Sequence, residues 1–366
     1  MVQTISNITS FLETIAPPAL QESYDNAGLI TGQNNWECPG VICCLDAIEA
    51  VIDEAIEKNC NLIVAHHPII FSGLKKINGK NYVERTIIKA IKNDIAIYAI
   101  HTNLDNVIEG VNGTIAKKLG LQNTSILSTK TNQLKKLYFF VPPENAQKVM
   151  AALFETGGGN IGNYSECSFS VNGKGTFRPN ENANPFVGKP GKREEAEELK
   201  IEVLFPSWLE GRMIATLKAN HPYEEVAYEV ISIDNHHQHI GSGISGELSE
   251  AINEKDFLQR LKEIFGLKML KHTAVTGKPV KKVSVCGGAG SFLLNAAINS
   301  ESDVYITSDL KYHEFFDADN RILLTDIGHY ESEHFTIELL ATLLEQKFPN
   351  FAVLKTGVNT NPVHYF

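Results

Sequence analysis

Residues 41–45, 62–65 and 95–100 are short apolar runs, and the stretches between them carry apolar residues at helical spacing. Strands that are apolar on both faces, joined by amphipathic helices, pack well only as a parallel sheet covered by helices. The intervening helices are expected over 47–58, near 83–92 and over 111–119, with Gly120 as the C-terminal cap. An earlier helix over 5–15 shows Ile5, Ile8, Phe11, Leu12 and Ile15 at the same spacing, and Pro17-Pro18 stops it.

Near residue 128 the pattern changes. A strand over 134–141, a helix over 143–156 opened by a proline, and an alternating strand over 167–177 lead into a polar stretch, 178–195, read as a loop or long hairpin tip. A strand over 200–205, a helix over 207–219 and a strand over 225–233 follow. This β-α-β-β-α-β order is the ferredoxin-like arrangement, so 128–240 is expected to be an inserted α+β domain. After the polar, His-rich 234–239 the first pattern resumes: a helix over 253–265 with Asn253 as N-cap, a strand over 283–286, a helix near 291–299, strands over 304–307 and 322–326, and a long helix over 333–346. The outer segments, 1–127 and 241–366, look alike. They are expected to form one α/β domain closing around the insert.

Several strands in these outer segments end on metal-ligating residue types. His66-His67-Pro68 follows one apolar run, His101 and Asp105 follow another, Ser308-Asp309 a third, and Gly328-His329-Tyr-Glu-Ser-Glu333 a fourth. Loops at the carboxyl ends of parallel strands form the binding crevice of such sheets. Adjacent strand residues face opposite ways, so His66 and His67 can serve two different ions. His329 and Glu333 are spaced i, i+4 and share one face of a helix's first turn. Asp105 is placed to bridge. Imidazole with carboxylate suits zinc, with manganese, iron or cobalt as alternatives. The case for His66, His67, Asp105, His329 and Glu333 rests on their joint placement. His101 and His313 are acid/base candidates, and an equal reading makes them orienters of the ligands. His221, His272, His236, His237 and His239 have no ligand context.

Two glycine-rich stretches compete for attention. Gly241-Ser-Gly243-Ile-Ser-Gly246 fits G-x-G-x-x-G but follows polar residues and opens no helix directly, so a flexible re-entry turn is expected there. Cys286-Gly287-Gly288-Ala289-Gly290-Ser291 lies between strand and helix, where backbone N–H groups could cradle an anion. A tight turn with close helix packing is at least as good a reading.

The formal net charge of −10 argues against a general nucleic-acid coat, which needs a basic face. No apolar run approaches the length of a membrane helix, and the first residues lack the pattern of a secretion signal. The six cysteines form no C-x-x-C pair and read as reduced thiols, not as a thiolate metal site. A cytoplasmic location is expected.

Ala65-His66-His67-Pro68-Ile-Ile-Phe71, His101-Thr-Asn-Leu-Asp105, Gly287-Gly-Ala-Gly290, Gly328-His329-Tyr-Glu-Ser-Glu333 and Tyr24-Asp25-Asn-Ala-Gly-Leu29 together resemble the signature segments of the Nif-three-like family, many of whose members are called GTP cyclohydrolase 1 type 2 homologues. The insert resembles the CutA/PII-like domain of the longer bacterial members. The resemblance implies a dinuclear site at His66, His67, Asp105, His329 and Glu333, with two divalent ions per chain. It also implies a ring-shaped homohexamer with the sites facing an inner cavity and the inserts capping its openings. A metal-dependent hydrolase of a small molecule or nucleotide is the activity implied, by opening of the GTP imidazole ring or by phosphoester hydrolysis. The alternative is a non-catalytic metal-binding scaffold or regulatory assembly with the insert as sensor. The chain departs from the family pattern twice: Thr307-Ser308-Asp309 stands where Thr-Gly-Asp is usual, and Glu109-Gly110 where Gly-Gly is common.

Overall fold

The computed structural model describes residues 3–366. The described residues form two compact units, one running to Thr129 and resuming at His239, the other spanning 130–238. The larger unit is mixed α/β and holds two main sheets. In the first, Ala352–Lys355, Gly40–Asp46, Leu62–His67 and Ala96–Ala99 run parallel in that order, and Gly28–Thr31 closes the edge antiparallel. In the second, Val280–Ala289, Val304–Ser308 and Leu323–Asp326 are parallel neighbours, flanked by the antiparallel strands Gly241–Ile252 and Gln122–Thr129 on one side and Lys271–His272 on the other.

The helices form where local chemistry favours them. Ile5–Ile15 opens with a capping box between Thr4 and Asn7 and buries Ile5, Ile8 and Leu12. Val111–Leu119 ends at Gly120 in the left-handed conformation, and Asn253 caps Glu254–Phe265 by accepting from the Lys255 N–H. The central strands Gly40–Asp46 and Leu62–His67 are almost wholly buried, which accounts for their unbroken apolar sequence. Among the described residues no helix is long and apolar enough to cross a membrane.

Two expectations fail. Gly241–Ile252 is not a re-entry turn but a strand paired on both sides. Its glycines are there for close approach: a Cβ on Gly241 would lie 2.2 Å from the Ser128 carbonyl oxygen, and one on Gly246 3.1 Å from that of Gln122. The last helix is also broken. A short helix, His329–Glu333, precedes the separate Thr336–Lys347.

The smaller unit is a four-stranded antiparallel sheet in the order Tyr228–Ile233, Leu134–Val141, Glu194–Pro206, Ser168–Phe177, with helices Pro143–Glu155 and Glu210–Asn220 packed on one core. Chain order and sheet order together are ferredoxin-like. His221 is buried here. Its Nδ1 accepts from the Tyr223 N–H at 3.1 Å, so Nε2 carries the proton and donates to the Phe140 carbonyl at 2.8 Å. Burial holds its pKa below the usual 6.5. Below about pH 6.5 the unfolded chain therefore gains a proton that the folded unit refuses, and stability falls as the pH drops. The thermal midpoint of this unit should decline from that pH downward. His221→Gln keeps both hydrogen-bonding roles without titrating, and calorimetry across the range should find a smaller decline in that variant.

Candidate metal centre

Parallel register brings the first half of the site together. Asp46 and His67 are register partners at the ends of adjacent strands. His66, one residue earlier, is fully buried. The next parallel strand, Ala96–Ala99, leads into His101 and the short helix Thr102–Asp105. The second half comes from the other sheet. After Leu323–Asp326 the chain turns at Gly328, which has φ +89°, into the helix His329–Glu333. The carboxyl ends of parallel strands from both sheets thus face one centre.

Four imidazoles are held the same way. Nδ1 of His66 lies 2.8 Å from the Ile100 carbonyl oxygen, that of His67 2.8 Å from Asp46 Oδ1, that of His101 2.7 Å from Asp25 Oδ1, and that of His329 2.7 Å from Asp309 Oδ2. Carbonyls and carboxylates only accept, so each Nδ1 carries a proton and each Nε2 is the atom left to coordinate a metal ion. His66 Nε2 is buried and has no hydrogen-bond partner. It lies 3.6 Å from Asp105 Oδ1 and 3.9 Å from Glu333 Oε1. A buried lone pair aimed at two carboxylate oxygens across a gap too long for a hydrogen bond is costly unless a cation fills the gap. Nε2 of His67 and Nε2 of His329 are 3.3 Å apart, and each is 3.0 Å from Glu333 Oε2. Their ligand atoms and those of Glu333 form a second compact group, and a third joins His66, His67 and His101. Glu333 belongs to both carboxylate-bearing groups and Asp105 to one. The donor set of these groups could hold a metal ion.

The electrostatics agree. Burial above all, helped by the neighbouring His67 and His101 and opposed by the Glu333 carboxylate, drives the His66 pKa down, to about 3, leaving it a neutral donor. Burial also opposes charge on His67 and His329, but hydrogen bonds to carboxylates prevail: Asp46 and Glu333 lift His67 to about 9, and Asp309 and Glu333 lift His329 to about 11. The Glu333 carboxyl is held well below its usual range, because its bonds to His329 and His67 outweigh its burial. Asp105 moves the other way, through burial and then the Glu333 charge.

Around these groups lies a cavity of about 930 Å³. His67, His101, Asp105, His329 and Glu333 line it, and His66 lies behind them. His313 does not join them. It sits in the 3-10 segment Tyr312–Ala318, packed against Tyr312 and Phe316 and outside the cavity wall. In the Gly287–Gly290 stretch the Gly287 N–H is taken by Asn112 Oδ1 and the Gly288 N–H by Ser332 Oγ, so neither is left for an anion. The departure at Glu109 is harmless, since that side chain is exposed and pairs with Lys117, while Gly110 keeps the place where a Cβ would strike the Leu104 carbonyl. Ser308 is fully buried with an unpartnered hydroxyl, and nothing in the structure explains that substitution.

Sequence reasoning missed the anchors Asp46 and Asp25, although Asp46 ends an apolar strand just as the ligand candidates do. Asp46 is in turn held by the Thr360 hydroxyl at 2.8 Å, from the C-terminal segment. Asp46→Ala should weaken the ion at His67 by on the order of 10–100-fold, the usual cost of losing such an anchor. Thr360→Val should act in the same direction but less. Competition with a chromophoric chelator measures both.

The DUF34/NIF3 (NGG1p interacting factor 3) family profile matches residues 3–362. A Bacillus subtilis protein named GTP cyclohydrolase 1 type 2 homolog is 39% identical over 361 residues, covering 97% of this chain and 96% of that protein. Its namesake in Halalkalibacterium halodurans is 38% identical over 360 residues, covering 97% of each. A crystal structure of a Bacillus cereus protein related to NIF3 superposes with a TM-score of 0.88 at 37% identity, covering all of both chains. A family match of this extent, with relatives this similar from end to end, leaves one conclusion: the chain belongs to the DUF34/NIF3 family.

Proposed function

We propose that this chain is a dinuclear-metal-dependent hydrolase acting on a small molecule in the cavity between its two sheets. The observation that carries the reading is the buried, unpartnered Nε2 of His66 aimed at Asp105 and Glu333, beside a second ligand group that shares Glu333. His66 and Asp105 would hold one ion, His67 and His329 the other, and Glu333 both. Bound divalent metal supplies Lewis acidity, which brings the pKa of a coordinated water near neutrality and polarises the scissile group. Zinc suits this donor set, with manganese, iron or cobalt as alternatives.

The chain's own residues do the rest. Asp25 accepts from His101 Nδ1 and from the N–H and hydroxyl of Thr102, and it stays ionised, with a pKa of about 2. That fixes the His101 ring, whose ligand-type nitrogen falls within 4.8 Å of those of His66 and His67. We assign proton transfer to His101 and not to His313, which lies away from the cavity. The relatives' name points to a guanine nucleotide reaction. The homohexamer and the CutA/PII-like character of the insert rest on family resemblance, and the latter also on its strand order. Light scattering tests the assembly.

The rival reading is a metal-binding scaffold without turnover. Protein loaded with zinc, manganese, iron or cobalt would be assayed against GTP, nucleosides and phosphodiesters. Turnover that disappears in Glu333→Ala supports the hydrolase. A rate unchanged in that variant, or no turnover with any loaded form, leaves the scaffold.

A further inference from the structure

We infer that the compound taken by this cavity is a planar aromatic or heteroaromatic ring bearing at most one phosphate, stacked on Tyr24 and Phe71 beside the metal ligands. This rests on the metal-site reading above and narrows its substrate class.

The first observation is the wall next to His101. Tyr24 is 62% exposed and Phe71 52% exposed, although both line the cavity. Their ring centroids are 6.2 Å apart, and Phe71 is again 6.2 Å from the His101 ring. The two loops that carry them are tied together by the Asn26 side chain, which donates to the Ile70 carbonyl at 2.6 Å. Asp25, next to Tyr24, is bonded to His101. The aromatic faces are thus fixed relative to the ligand set, and they expose apolar area that a ring-shaped ligand would cover. The cavity volume, about 930 Å³, is ample for a bicyclic compound with a sugar.

The second observation is charge. Lys271 is the only lysine or arginine among the described residues of the wall, and it is already paired with buried Asp326 at 2.6 Å. Beyond Asp105 and Glu333, the wall adds the carboxylates of Glu22, Asp46, Asp309 and Glu331. Proteins that hold polyphosphates surround them with Lys, Arg and metal ions. Here the two ions could accept one phosphate, and a second or third would meet carboxylates. A nucleoside or free base fits where a nucleoside triphosphate does not.

The test uses the full chain loaded with manganese, with guanosine, GMP and GTP as probes, by equilibrium dialysis with metal content followed in parallel. Guanosine and GMP should bind at least tenfold more tightly than GTP. Tyr24→Ala and Phe71→Ala should each weaken guanosine by about tenfold, the usual worth of one stacking face, with metal content unchanged. Tighter binding of GTP, no binding of guanosine or GMP to fully loaded protein, or indifference to both aromatic variants would overturn the inference while leaving the metal reading intact. Failure to take up metal at all would instead overturn the site on which it rests.

Discussion

Glu333→Ala is expected to empty the site of both ions, whereas His66→Ala and His329→Ala should each remove one. The difference follows from membership. Glu333 contributes an oxygen to the group with His66 and Asp105 and to the group with His67 and His329, while each histidine serves a single carboxylate-bearing group. Elemental analysis after gel filtration should return roughly two ions per chain for the parent, about one for either histidine variant and close to none for Glu333→Ala. Two retained ions in Glu333→Ala would rule out the shared-carboxylate arrangement. The fold should survive. Removing one partner of a buried ion pair costs about 3–5 kcal/mol when the other charge is stranded. Here His67 and His329 owe much of their raised pKa values to Glu333 and can return to the neutral state without it. The stability loss should therefore fall well short of that figure, and a metal-free melting curve separates loss of ligand from loss of fold.

The ligand candidates stand out in the sequence because each lies at or just after the end of a buried strand. His66 and His67 close one, Asp105 ends the short helix that follows another, and His329 and Glu333 open and close the helix that follows a third, a local pattern that survives without the structure. The strands of the first sheet are legible for the same reason: Gly40–Asp46 and Leu62–His67 are buried on both faces and read as unbroken apolar runs. What supports the ligands is set by contacts distant in sequence. Asp46 meets His67 because two strands are parallel and in register, Asp25 reaches His101 across 76 residues, and Thr360 reaches Asp46 across 314. No spacing rule links such pairs. Gly241–Ile252 was hidden by its own glycines, which usually mark turns and here allow neighbouring strands to approach. Gln122–Thr129, its partner, is polar and largely exposed along its first half, so it lacks the alternation that identifies a strand.

Gly288→Ala should cost the site its ions although residue 288 carries no ligand. Gly288 has φ +63°, and a Cβ placed there would lie 2.3 Å from Glu333 Oε1 and 3.2 Å from its Cδ. Either the carboxylate moves out of both ligand groups, or the strand end that carries Gly288 moves with it. The strand end is the harder to shift: the Gly288 N–H is bonded to Ser332 Oγ at 3.0 Å and its carbonyl accepts from the Thr307 hydroxyl at 3.1 Å. Glu333 is the part that gives way, and metal affinity should fall by on the order of 100-fold or more, since a ligand is displaced and not merely an anchor. The left-handed backbone adds about 1–2 kcal/mol of destabilisation for any residue with a Cβ. Gly266→Ala separates the two effects. Gly266 has nearly the same backbone conformation, φ +64°, caps the helix Glu254–Phe265, and would set its Cβ in open space. That variant should lose stability by a similar amount and keep both ions. Equal metal content in the two variants would mean that the glycine serves the turn alone; a deficit confined to Gly288→Ala would mean that the bare backbone at this strand end is what allows Glu333 to reach both ligand groups.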